Sequence, residues 1–143
     1  MKKLILIGCL SYMNLALADC DASMKEGHQQ ASSGNTASSM ASESLKHFQQ
    51  LIADKADDSI ICDAGKDTRM KTYLTGIKYK HARLAFVNAI NTCSAPYDAE
   101  AASNADSMTS AYNASLDLVK KYDGILGAQC GALPTAPLLN NAK

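Results

Sequence analysis

Cys20, Met24 and His28 follow one another at intervals of four residues, so a helix would bring a thiol, a thioether and an imidazole to one face. Such soft donors suit Cu(I). The sulfur of Cys20 has a competing use. Of five cysteines, Cys9 lies in an apolar N-terminal stretch, and Cys20, Cys62, Cys93 and Cys130 fall near the breaks between helical patterns. Oxidised in pairs, those four would staple helix ends, leaving no thiolate for a metal or for nucleophilic attack. Met24 and His28 then remain as the alternative metal- or small-ligand-binding pair, although Met24 also fits an apolar seam.

A second group is cationic. Lys66, Arg69, Lys71, Lys78, Lys80, His81 and Arg83 form one basic run, with Tyr73 and Tyr79 interleaved. Arg69, Lys71, Lys78, Tyr79, Lys80 and Arg83 would offer a partner-binding face to an acidic protein. The opposing reading starts from the acids around the run: Asp54, Asp57, Asp58 and Asp63 before it, Asp98, Glu100 and Asp106 after it. A basic helix between acidic neighbours can be a solvated face with intramolecular pairing. His47 and His81 have no ligand partner close in sequence, and His81 sits mid-stripe on an apolar face, where a hydrogen-bonded core histidine is expected.

Catalytic patterns do not occur. The chain has no Gly-x-Ser-x-Gly, no His-Glu-x-x-His, no glycine-rich phosphate loop and no Cys-x-x-Cys-His haem attachment site. The expectation is a protein that is not an enzyme and carries no cofactor.

The N-terminus bears on the compartment. Lys2 and Lys3, an apolar stretch from Leu4 to Met13, and Ala16-Leu17-Ala18 have the order of a signal peptide over 1–18, cleaved before Asp19. Leu6-Ile7-Gly8-Cys9 resembles a lipobox, so the alternative is a lipoprotein acylated at Cys9. The apolar stretch is shorter than the roughly 20 residues a membrane-spanning helix needs. A periplasmic or secreted protein without stable membrane insertion is expected. Removing Lys2 and Lys3 from the 14 basic residues leaves 12 against 14 acidic ones, a net charge of −2. That gives no general electrostatic case for binding nucleic acid or an anionic membrane.

The elements that must position these groups read as helices. Residues 19–131 suit one all-α domain, and 132–143, with Pro134 and Pro137, an irregular tail. From about Asp98 to Leu126, Ala101, Ala105, Met108, Tyr112, Ser115, Val119, Tyr122 and Leu126 form an unbroken seam, with Pro96 at the entrance and Gly124 and Gly127 at the exit. From about Thr68 to Thr92, Met70, Tyr73, Leu74, Ile77, His81, Leu84 and Ala85 form the apolar stripe expected to be buried, with Asp67 or Thr68 as N-cap and a loop over 57–66. The first segment, about Asp21 to Ala56, has a seam of small and polar residues. Ser32-Ser33-Gly34-Asn35-Thr36 predicts a stop and restart within it.

Short links between these segments give an antiparallel three-helix bundle, or a four-helix one if the first segment breaks at Gly34. Up-down-up order places Cys20 and Cys93 at one end and Cys62 and Cys130 at the other. A disulfide needs Cα atoms within about 7 Å. Of three connectivities, only Cys20–Cys93 with Cys62–Cys130 joins like ends. A rigid, stapled, exported bundle without catalytic motifs points to binding of another envelope or secreted protein, as an immunity or inhibitor protein or a secretion-apparatus accessory.

Overall fold

The computed structural model describes residues 5–133, with side chains described from residue 18. Its elements are α1 (Ile5–Ala53), α2 (Asp58–Thr92) and α3 (Tyr97–Cys130), with no strand among the described residues. Met1–Leu4 of the signal-like segment and residues 134–143 of the tail lie outside the described residues; Gly131–Leu133 are non-helical.

The third seam is the core edge of α3. Ala101, Ala105, Tyr112, Ser115, Val119, Tyr122 and Leu126 are all buried. One end signal needs correction. Gly124 and Gly127 lie inside the helix, and the stop comes at Gly131, whose φ of 72° is the left-handed backbone that favours glycine. Pro96 stands at the entrance as expected, in the N-cap position.

α1 runs through 32–36 without the predicted break. Thr36 and Ser39 donate their hydroxyls to the carbonyls of Ser32 and Asn35, four residues back, instead of capping a new helix. Gly34 serves packing. A Cβ there would lie 2.6 Å from Cε1 of Tyr79 on α2, and one at Gly27 would lie 2.6 Å from Cε1 of Phe86. α1 stops instead at Ala53, shortly before Lys55 with its φ of 53°. The Lys55 and Ala56 amides donate to the Ile52 and Leu51 carbonyls, the paired bonds of a Schellman stop.

α2 begins ten residues before the expected Thr68, at Asp58, so Cys62 lies within the helix and the loop shrinks to a tight turn. Asp67 and Thr68 are interior; the N-cap position is Asp57.

The helices run up, down and up, with α2 packed against both others, while α1 and α3 barely approach each other directly. They meet mainly through long side chains reaching over α2: Phe48 of α1 with Tyr122 and Leu126 of α3, and Met24 with Met108 around Phe86. Both disulfides join like ends, Cys20–Cys93 with Cα atoms 4.8 Å apart and Cys62–Cys130 with Cα atoms 5.5 Å apart. Their sequence separations are 73 and 68 residues. Loops of that size correspond to about 4 kcal/mol each in the chain-entropy description. Each bridge ties α2 to a different neighbour.

Candidate interaction surface

α2 is buried on the opposite side from its apolar stripe. The residues packed inward are Gly65, Thr68, Arg69, Thr72, Thr75, Gly76, Tyr79, Ala82, Phe86 and Ala89. The predicted core stripe faces out: Leu74 and Leu84 are each 49% exposed, His81 is exposed, and Met70, Tyr73 and Ile77 are only partly covered. Ala85, at the stripe's edge, is the one member that is buried. His81 is therefore not a core histidine.

The reason lies in side-chain size. α1 presents Gly27 and Gly34 to α2, and close helix approach there takes in the rings of Phe86 and Tyr79. Those two rings share one face of α2 with Thr68, Thr72, Thr75, Ala82 and Ala89. The threonines remain satisfied in the core because Thr68, Thr72 and Thr75 donate to carbonyls four residues back. A helix can thus bury a polar-looking face and leave the leucines outside.

The outward stripe has coiled-coil spacing. Met70, Leu74, Ile77, His81 and Leu84 recur at alternating intervals of four and three residues, which are a and d positions of a heptad. Their flanks, the e and g positions, carry Lys71 and Lys78 on one side and Lys66 and Lys80 on the other. The intramolecular core occupies the b, c and f positions, which in an ordinary coiled coil face water. Asp63 and Asp67 continue the a/d register upward, so the apolar part ends at Met70. It spans about 21 Å of helix, at 1.5 Å per residue.

The basic run is split between the two faces. Arg69 is 4% exposed and its Nε donates to Asp123 of α3, while Arg83 Nε donates to Thr109 at 3.0 Å. Tyr79 is buried with its hydroxyl donating to Asn35 Oδ1 at 2.9 Å. Those three residues hold the helices together. Lys71 lies on the outer edge and donates to Asp67 at 2.7 Å. Burial alone would raise the Asp67 carboxyl pKa, but the hydrogen bonds from Lys71 and Ser44, with the nearby Lys71 charge, outweigh it and hold it below the usual value. Lys66, Lys78 and Lys80 have no carboxylate within ion-pair distance among the described residues.

Met24 and His28 lie elsewhere and are engaged. Met24 packs against the Ala82, Phe86 and Ala105 cluster, and Cys20 is in its disulfide. His28 stands edge-on to Phe86 with ring centroids 5.2 Å apart, and its Nε2 is 3.9 Å from Glu100 Oε1. Among the described residues no group of three or more His, Cys, Asp and Glu side chains is placed to hold a metal ion. None of the described helices is long and apolar enough to cross a membrane.

An open cleft of about 740 Å³ is lined by residues of all three helices. Leu45, Ile52, Ile61, Tyr122 and Ile125 line it, and Asp58 is its one charged residue. Sequence periodicity missed it because it is formed by residues of three different helices, which no local pattern brings together.

No protein-family model matches the chain, and no curated protein or solved structure is similar to it.

Proposed function

We propose that this chain is an exported, periplasmic, disulfide-stabilised helical protein that acts by binding another protein, in the manner of an immunity or inhibitor protein or of a secretion-apparatus accessory. The observation that carries the reading is the outward a/d seam of α2, with Leu74 and Leu84 half exposed on a helix stapled at both ends. Apolar residues at heptad spacing on a rigid scaffold gain about 25 cal/mol for each Å² they bury against a partner. Fixing the helix in advance lowers the ordering cost of association. The two disulfides suit an oxidising compartment such as the periplasm.

A photo-crosslinking side chain placed at position 74 or 84 of the full chain, expressed in its own host, tests this. One defined crosslinked protein is expected from both positions and none from position 43, which is exposed on α1. Absence of any product from the seam positions, or equal products from all three, would overturn the reading.

A further inference from the structure

We infer that the occupant of the α2 seam is an amphipathic helix whose apolar stripe is flanked by acidic residues, carried by a different protein rather than by a second copy of this chain. This rests on the reading of α2 as a docking face and adds the chemistry of what docks there.

Charge at the flanking positions decides between the candidates. In a two-helix seam the e and g residues of one helix meet those of the other and set partner choice and orientation. Every charged side chain at e and g along this seam and just above it is a lysine: Lys71, Lys78 and Lys80 beside the apolar part, and Lys66 at its upper end. Pairing α2 with the same helix of a second copy would set Lys66 against Lys71 in parallel order and bring Lys71 and Lys78, or Lys66 and Lys80, against their own kind in antiparallel order, with no acidic e or g residue on either copy to offset them. Glutamate or aspartate at those positions of a partner would instead meet four cations, of which only Lys71 has a carboxylate partner among the described residues.

The seam's own composition narrows the partner further. His81 occupies an a position between Ile77 and Leu84 and shares a shallow hollow with Glu26 of α1 and with Asn88. A polar residue at one a position fixes register, so the partner should place a hydrogen-bonding side chain opposite His81 and apolar ones opposite Leu74, Ile77 and Leu84. Asp63 and Asp67 close the upper end, which limits the apolar contact to about two heptads.

The test uses two fluorescently labelled synthetic helices of about three heptads. Both carry leucine at a and d with one asparagine at a; one has glutamate and the other lysine at e and g, so each repels its own copies. Fluorescence anisotropy is read against the full disulfide-intact protein. The acidic helix should bind at least about tenfold more tightly than the basic one at low salt, with the margin shrinking between about 0.05 and 0.5 M salt. K78E/K80E should abolish the preference, and L74Q/L84Q should weaken both helices. Equal binding of the two helices would overturn the inference about charge and leave the docking face standing. Binding of neither, with crosslinking from position 74 still productive, would overturn the helical occupant alone. Dimerisation in sedimentation equilibrium that L74Q/L84Q abolishes would replace the acidic partner with a second copy.

Discussion

Gly34 shows how one residue type carries two opposite messages. Within Ser32-Ser33-Gly34-Asn35-Thr36 it has the surroundings of a helix stop, yet it is a contact point, with the Tyr79 ring where a side chain would stand. Alanine is better than glycine in a helix by about 1 kcal/mol, so the sign of a substitution depends on space. At Gly34 the ring is buried and held by its hydrogen bond to Asn35, so it cannot swing clear. G34A should therefore lower stability by about 1–3 kcal/mol, the usual cost of overpacking. Gly124 has nothing within 4 Å of its missing Cβ, and G124A should raise stability by about 1 kcal/mol. Urea denaturation of the two variants against the parent measures both. The sequence could not separate these glycines, because the ring that distinguishes them lies 45 positions away on another helix.

At the scale of elements, α3 was legible and α2 was legible only in part. Apart from Ser115, the α3 seam is large and apolar where it is buried from Tyr112 through Val119 to Leu126, so periodicity and burial coincide. In α2 they part: the most regular apolar stripe is the outer one, and the inner face is Thr68, Thr72, Thr75 and Ala82 set around Tyr79 and Phe86. A hydropathy pattern finds an amphipathic helix but does not say which helix covers it. The basic run was ambiguous for the same reason. Arg69 and Arg83 point in and the lysines flank the outer seam, a division set by which side α3 approaches. This gives the Arg69–Asp123 pair a structural role that a surface pair lacks. Removing the carboxylate beside an arginine with a 5% exposed side chain takes away charge compensation where water cannot replace it, although Asp123 itself is 44% exposed. D123N should cost about 2 kcal/mol, below the usual 3–5 for a fully buried pair. D117N, which breaks only the exposed Lys120–Asp117 pair at 3.6 Å, should cost less than about 0.5 kcal/mol. Thermal unfolding of the two variants separates the cases.

For the whole molecule, the alternation of cysteines along the chain was enough to select both disulfides, because antiparallel order fixes which helix ends can meet. What that alternation could not convey is that α1 and α3 stand apart with α2 between them, so α2 has a free side. The stapled bundle is then a mount for one helix, holding an a/d seam outward between lysines while its b, c and f positions form the core. Everything proposed about partners depends on that inversion. The unfolding free energy of the L74Q/L84Q variant in denaturant, with both disulfides intact, tests it most directly. Glutamine nearly matches leucine in helix propensity, and both leucines are 49% exposed. The expected change is under about 1 kcal/mol. A loss of about 4 kcal/mol or more, the sum expected for two buried leucines, would show that the stripe is the core of the bundle and contradict the account.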